Sequence, residues 1–135
     1  MTEEQNRPPI PLPLIDTDTE EWYEGLKRHA LLLQQCASCG SLQHPPQPSC
    51  AQCLSLDRNW VPASGKGTIF SFIVVRHPVH PAFAEVPYDV ILVQLEEGPR
   101  ILSNMLDCPV EEIEIGMAVE VDFVDVSDDI TLPKF

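Results

Sequence analysis

The chain has 135 residues and a formal net charge of −13, which suits one domain with a modest core beside a small module. The acidic balance argues against nucleic acid as a partner, because affinity for a phosphate backbone depends on Lys and Arg. No apolar run approaches the roughly 20 residues of a membrane span, and the acidic start shows no signal-peptide core. The sequence therefore predicts a soluble, cytoplasmic protein with no membrane partner.

The N-terminal region is predicted to be an extended arm followed by a helix. Residues 1–15 form the arm, because prolines at positions 8, 9, 11 and 13 exclude a helix. In residues 16–35, acidic and hydroxyl side chains favour a helix N-terminus, so we expect a helix from about Thr19 to His29. Its apolar face would cover either the chain's own core or a partner subunit, and it comprises Trp22, Tyr23 and Leu26.

Four cysteines make the most informative pattern in the chain. They form two CxxC pairs separated by ten residues: Cys36 with Cys39, and Cys50 with Cys53. Each pair places two sulfurs on one tight turn, and two such turns close on a single ion with tetrahedral geometry. Gly40, just past the first pair, suits a backbone that turns back at positive φ. Residues 36–57 are therefore predicted to form a zinc ribbon, whose four protein ligands leave no open position for water and make the zinc structural.

Other uses of these cysteines compete with zinc. One CxxC pair suits a redox dithiol, but two pairs at this spacing favour a metal. Disulfides suit small secreted domains, and we expect no secretory signal here. Iron in a rubredoxin-like site would use the same four thiolates, so zinc and iron both stay open. His44, between the pairs, is expected to be a loop residue because four cysteines complete the tetrahedron.

Residues 58–135 are predicted to form a small barrel of the OB-fold type. A brief strand at 58–62 leads out of the ribbon, and a long loop with three prolines is expected at 77–87. Five short antiparallel strands with glycine bends are typical of such a barrel. They are expected at 68–76, 88–95, 100–105, 117–126 and 130–135. The whole chain is thus predicted to be mainly β, with a short N-terminal helix, a rubredoxin-like zinc ribbon and a C-terminal OB-fold barrel.

This order of elements resembles the OB-fold acyl-CoA-associated proteins, over nearly the whole chain. Besides the helix and the CxxC…CxxC ribbon, the resemblance lies in three motifs: Gly65-x-Gly67-x-x-x-Ser71-Phe72, Pro87-Tyr88 and Ile115-Gly116-Met117. It implies an auxiliary subunit of a thiolase-superfamily enzyme in a hetero-oligomer, with coenzyme A thioester as the shared ligand. The partner would supply the nucleophilic cysteine and the acid/base residues.

Two reactions follow from the resemblance. Members of the family accompany thiolases of acyl-CoA degradation, including that of aromatic compounds, and thiolase-like aldolases of steroid side-chain breakdown. We expect support of thiolytic cleavage first and of retro-aldol cleavage as the alternative. The motifs do not specify the acyl group or the stoichiometry. A rubredoxin-like electron carrier and a nucleic-acid-binding OB module are lesser alternatives.

The rest of the sequence predicts no active site within this chain. Cys108 lies beside Asp107, whose charge disfavours the thiolate that a catalytic cysteine needs. Coenzyme A requires cations near its phosphates and an apolar passage for pantetheine. We hypothesise that the partner holds most of the coenzyme, while the 77–87 loop of this chain covers the acyl end of the channel. The candidate contacts are His77, His80, Phe83, Arg76, Lys66 and Arg100.

Overall fold

A computed structural model describes residues 9–135 of the chain. It confirms a mainly β protein with a short N-terminal helix. Residues 1–8 of the predicted arm lie outside the described residues, and residues 9–15 are neither helix nor strand. The helix and strands are α1 (Glu20–Lys27), β1 (Leu32–Cys36), β2 (Leu42–Gln43), β3 (Arg58–Pro62), β4 (Lys66–Val75), β5 (Tyr88–Leu95), β6 (Arg100–Ser103), β7 (Ala118–Glu120), β8 (Asp122–Asp125) and β9 (Thr131–Lys134).

Helix α1 begins after a turn held by Asp16 and ends earlier than predicted. The Asp16 carboxylate accepts hydrogen bonds from the Oγ1 and backbone N–H of Thr19, which hold the pKa of Asp16 below its usual value. The predicted end at His29 is wrong by two residues, because His29 takes a left-handed conformation (φ 57°). Its N–H then donates to the Leu26 carbonyl at 2.9 Å, as in other left-handed helix ends.

Three antiparallel sheets follow the helix, the third being the β8-β9 pair. The first has the strand order β2-β1-β3 and carries the cysteine turns, with β1 and β3 paired from Leu32↔Pro62 to Cys36↔Arg58. The second has the order β6-β5-β4-β7. In β4 the register shifts between Ile69 and Ser71, so Phe70 forms a bulge of the kind that curls a sheet into a barrel.

The predicted strand at 117–126 is two strands, which corrects the sequence expectation. β7 pairs with β4 through Val119↔Gly67, but β8 leaves that sheet and pairs with β9 through Phe123↔Pro133. Between them, the N–H of Val121 donates to the Gly65 carbonyl at 2.7 Å. One strand thus changes partners, which lets a small sheet close on itself.

Helix, ribbon and barrel share one hydrophobic core. Leu26 of α1, Leu33 of β1 and Ile91 of β5 are completely buried in it. The C-terminal end of α1 also contacts the barrel, since the His29 ring stacks on Phe123 with centroids 5.0 Å apart. The ribbon is therefore anchored to the barrel through a common core. Within residues 9–135, no helix is long and apolar enough to cross a membrane.

Candidate metal centre and adjoining surfaces

The four ribbon cysteines converge on one point. Their Sγ atoms all lie within 4.8 Å of one another. The pairs that join the two turns are the closest, with Cys36–Cys53 at 3.5 Å and Cys39–Cys50 at 3.6 Å. Tetrahedral zinc with bonds of about 2.3 Å would separate its sulfurs by about 3.8 Å. The four positions therefore fit one tetrahedral ion.

The two cysteine turns have the same backbone geometry. In the first, the N–H of Gly40 donates to the Cys36 carbonyl at 3.0 Å, and in the second, Leu54 donates to the Cys50 carbonyl at the same distance. Both donors have positive φ, 78° for Gly40 and 65° for Leu54. Glycine adopts this conformation freely, whereas leucine does so at a cost. The sequence predicted the first turn from Gly40, but nothing in it indicated that Leu54 is its counterpart.

Backbone N–H groups favour thiolates at the buried cysteines. The N–H groups of Cys53 and Gln52 point at the Cys50 sulfur and lower the pKa of that thiol to about 6. Hydrogen bonding by the Cys39 N–H, at 3.4 Å, likewise lowers the pKa of Cys36.

Cys53 shows why this cluster needs a cation. The N–H of Ser55 lowers the pKa of Cys53, but the neighbouring thiols, Cys36 first, outweigh that effect and raise the pKa to about 12. A divalent ion would offset the repulsion between neighbouring thiolates, so that all four sulfurs could lose their protons. The donor set is thus that of a structural zinc site.

Buried polar side chains fix the loop between the two turns. The Gln34 amide bonds both the N–H and the carbonyl of Gln47, at 2.8 and 3.0 Å. His44 packs on Trp22 with ring centroids 4.4 Å apart, and burial lowers the pKa of His44 to about 4. The structure therefore gives His44 a packing role, in agreement with the loop assignment from sequence.

The predicted partner face of α1 is used within the chain. Trp22 and Leu26 are buried in the hydrophobic core, and Tyr23 packs against it at the edge. The sequence left open whether this face covers the chain's own core or a partner subunit, and in this chain it packs on the core. A role for them at a partner interface stays an untested expectation.

The six predicted coenzyme contacts do not form one cluster. Lys66 and Arg100 lie near one end of the barrel sheet, where Arg100 stacks on Phe70 at 3.7 Å from the ring centroid. Ten-residue β4 separates Lys66 from Arg76, a span of about 30 Å along the strand, whereas Arg100 begins four-residue β6. At the far end, His80 and Phe83 meet with ring centroids 5.8 Å apart. The exposed side chains of Arg76 and His77 precede them.

An open cavity of about 660 Å³ lies beside Phe83. Its lining comes from Ile10 of the N-terminal segment, residues 82–85, the first residues of β5, residues 102–105 and Lys134 of β9. Sequence analysis found Phe83 but missed Asn104 and Lys134, which also line this cavity. No local signal marks them, because they reach it from distant parts of the chain.

The outer face of the barrel sheet carries exposed apolar side chains, which we call the outer patch. The residues that pair across β4, β5 and β6 on this face are Ile73, Val90, Leu92 and Leu102. Ile73 is 60% exposed and Leu102 is 69% exposed. Val90 and Leu92 between them are partly exposed, and an apolar surface of this kind on a sheet face is typical of an interaction surface.

Comparison with protein families matches both parts of the chain. Residues 24–57 match a family described as "ChsH2, rubredoxin-like zinc ribbon domain". Residues 60–124 match a family described as "ChsH2, C-terminal OB-fold domain". Together with the cysteine geometry and the curled sheet, these matches define a protein with a zinc ribbon followed by an OB-fold.

Individual relatives fall into two groups. The "Probable enoyl-CoA hydratase alpha subunit" of Thermomonospora curvata is 43% identical over 99% of this chain and 42% of its own length. The "3-oxo-4,17-pregnadiene-20-carboxyl-CoA hydratase alpha subunit" of Mycobacterium tuberculosis is 40% identical over 86% of this chain and 37% of its length. The chain thus spans about two fifths of these two relatives. A "DUF35 domain-containing scaffold protein" of Methanocaldococcus jannaschii is 30% identical over 80% of this chain and 77% of its length.

A solved structure gives a similar picture. A chain of the "Ltp2-ChsH2(DUF35) aldolase" superposes with a TM-score of 0.83 at 44% identity, over 91% of this chain and 96% of that one. The chain therefore belongs to the DUF35 family, with a zinc ribbon and an OB-fold of the ChsH2 type.

Proposed function

We propose that this chain is the non-catalytic, zinc-binding subunit of an enzyme that acts on acyl-coenzyme A thioesters. Its partner would be a thiolase-superfamily subunit that supplies the catalytic residues. The names of the relatives support this role, because they describe subunits, scaffolds and a two-component aldolase. The cavity and the outer patch of this chain would then face the partner's substrate channel.

The outer patch is the observation that carries the proposal. Ile73 of β4 and Leu102 of β6 stay more than half exposed although the same strands bury Ile69 and Ile101 on their inner face. An exposed apolar side chain gains free energy when a partner covers it, by about 25 cal/mol per Å² of apolar surface. In a monomer these side chains stay in contact with water, whereas in an assembly a partner subunit can bury them.

The chain's one thiol outside the ribbon supports a non-catalytic role. Burial and the neighbouring charges of Glu112 and Asp89 raise the pKa of Cys108. A thiol with a raised pKa is a poor nucleophile at neutral pH. The catalytic cysteine of a thiolase-type reaction would therefore come from the partner.

Among carbon–carbon cleavages, the comparisons favour the retro-aldol reaction over the thiolysis expected first from the sequence. The favouring observation is the likeness to a chain of the aldolase, which this chain matches over 96% of that chain's length. Hydration is a second candidate, because two relatives are named hydratase alpha subunits, but this chain spans only about two fifths of each.

Product analysis of the assembled enzyme distinguishes the three reactions. Thiolysis consumes free coenzyme A, retro-aldol cleavage releases a carbonyl compound without consuming it, and hydration adds water without breaking a carbon–carbon bond. We expect the complex to release a ketone or aldehyde in the absence of free coenzyme A. Cleavage only when free coenzyme A is added would restore the thiolase assignment, and formation of a hydroxyacyl product alone would favour the hydratase.

A matched pair of variants tests the outer patch. Ile73→Asp places a charge in the patch, and Ile115→Asp places one on a similarly exposed isoleucine in the β6–β7 connection, 70% exposed. Both variants should fold, because neither side chain is buried. We expect Ile73→Asp to weaken assembly with the partner at least ten-fold and Ile115→Asp to leave it unchanged. Equal assembly of both variants would remove the outer patch from the proposal.

A further inference from the structure

The cavity beside Phe83 has apolar walls and a polar end. Phe83, Tyr88, Val90, Leu102 and Met105 supply the apolar walls. Its volume of about 660 Å³ lies within the roughly 300–1,000 Å³ of pockets that hold drug-sized ligands. A bulky acyl group is a ligand of this size and character.

Lys134 supplies a cation at the polar end. Its Nζ donates to the Asn104 Oδ1 at 2.6 Å. Burial lowers the pKa of Lys134, and the nearby Asp89 opposes that shift. An ammonium group has three N–H donors, and within residues 9–135 the bond to Asn104 uses one of them. The others are available to a ligand.

The network around Lys134 holds this end of the cavity in place. The Asp89 carboxylate accepts from the N–H of Met105 at 2.7 Å, and the Asn104 amide donates to the Asp89 carbonyl. The neighbouring Ser103 hydroxyl donates to the Pro133 carbonyl at 2.6 Å. Strands β5, β6 and β9 are thereby joined at one corner, so the ammonium is positioned before any ligand enters.

Charge decides which oxygen this ammonium can recognise. The Asp89 carboxylate lines the same cavity and acts on Lys134, so a ligand carboxylate or phosphate at this ammonium would also meet like charge. A ketone or hydroxyl oxygen accepts a hydrogen bond without that repulsion. The phosphates of coenzyme A are excluded from this end of the cavity for the same reason.

We propose that this cavity receives the acyl group of the thioester, and that Lys134 donates a hydrogen bond to a neutral oxygen on that group. The inference rests on the proposed function, because it assumes that an acyl thioester reaches this chain. It adds a specificity determinant: among bulky acyl groups, those with a ketone or hydroxyl at the inner end bind more tightly than their deoxy counterparts.

Two thioesters that differ in one oxygen test this assignment. The probes are the N-acetylcysteamine thioesters of a 3-oxo steroid 20-carboxylic acid and of its 3-deoxy counterpart, which are bulky and uncharged. Calorimetry measures their dissociation constants for the full zinc-loaded chain, for Lys134→Met and Lys134→Arg, and for the exposed control Lys27→Met. Binding of the deoxy probe reports whether each variant keeps the cavity intact.

We expect the chain to prefer the ketone probe, and Lys134→Met to weaken its binding about ten-fold, the loss of about 1.4 kcal/mol. The deoxy probe should bind both proteins equally, Lys134→Arg should restore part of the preference, and Lys27→Met should change nothing. Absence of binding by either probe, absence of a preference in the unmodified chain, or an equal loss for both probes would overturn the proposal.

Measuring assembly with the partner distinguishes a failure of the cavity assignment from a failure of the proposed function. Lys134→Met should still form the hetero-oligomer with the partner subunit, since Lys134 is not one of the outer-patch residues, although Val90 and Leu102 belong to both the patch and the cavity. If the unmodified chain forms no complex, the proposed function fails. If the complex forms but Lys134→Met keeps the ketone preference, only the cavity assignment fails.

Discussion

The left-handed residues of the two cysteine turns give a direct test of the ribbon, through Gly40→Ala and Leu54→Gly. A side chain in this conformation costs about 1–2 kcal/mol. Alanine recovers about 0.4–1 kcal/mol of that by restricting the unfolded chain. No heavy atom lies within 4 Å of a Cβ built at Gly40, so the change adds no clash. We therefore expect Gly40→Ala to destabilise the ribbon by about 1 kcal/mol.

Leu54→Gly should act in the opposite direction. The Leu54 side chain is 75% exposed, so its removal forfeits little packing. The strain that glycine relieves in the left-handed conformation outweighs its extra conformational entropy in the unfolded chain. We therefore expect the free energy of unfolding of the ribbon to rise by up to about 1 kcal/mol. Because zinc binding is coupled to folding of such a ribbon, about 1 kcal/mol corresponds to about a five-fold change in the zinc dissociation constant.

Competition with a chromophoric chelator measures these zinc dissociation constants. Gly98→Ala is the matched control, because Gly98 also has positive φ (117°) and open space around it but lies in the β5–β6 turn, away from the metal. It should leave zinc affinity unchanged. Equal zinc affinity in Gly40→Ala and the unmodified chain, or weaker zinc binding in Leu54→Gly, would refute the reasoning.

Three further predictions concern the barrel, pH and the metal. Gly67→Ala should lower the free energy of unfolding by about 3 kcal/mol or prevent folding, because its Cβ would clash with the Gln94 carbonyl oxygen. Denaturant unfolding measures the loss, and an unchanged free energy of unfolding would contradict the close approach. Burial keeps the pKa of His44 near 4 in the folded chain, so between about pH 6.5 and 4 the unfolded chain binds the proton first and stability falls as pH falls, by about 3 kcal/mol in all. His44→Phe should lose this part of the pH dependence and keep the part that comes from the zinc thiolates, and parallel pH profiles of the two proteins would contradict it. Removal of zinc by a chelator should expose the Trp22 ring, which is 6% exposed and packs on His44 of the ribbon, and an unchanged tryptophan emission maximum would contradict that coupling.

The metal centre could be predicted from the sequence because its determinants are local. Each CxxC turn fixes two sulfurs within four residues, and the spacing of the turns allows one ion between them. The helix was located correctly but predicted too long, since His29 takes a left-handed conformation and its ring stacks on Phe123, a tertiary contact that the local sequence does not show.

The barrel could be predicted only in outline. Tyr88–Leu95 is nearly continuous in apolar residues, so the sequence could not show that Ile91 and Val93 face the core while Val90 and Leu92 face outward. The strand at 117–126 alternates without interruption, and its division at Val121 follows from the bond to Gly65, more than fifty residues earlier in the chain. Long-range pairing of this kind leaves no local pattern.

The cavity illustrates the same limit for function. Phe83 was found because its loop is long and proline-rich, but Asp89, Asn104 and Lys134 come from three strands or strand ends and share no motif. The pairing of β5 with β6, and the backbone bonds of Phe135 to Asn104 and Leu106, bring them together. Of the predicted cations, Lys66 begins β4 and Arg100 begins β6, and neither lines this cavity.

The most direct test of the account is the native mass of the zinc-loaded chain coexpressed with a thiolase-superfamily subunit from its own host, with the composition of the complex determined by mass spectrometry. We predict a stable hetero-oligomer that contains both chains and cleaves an acyl-coenzyme A thioester that neither chain cleaves alone. Elution of the chain by itself at 15.1 kDa, with full activity in the partner alone, would contradict the role of accessory subunit.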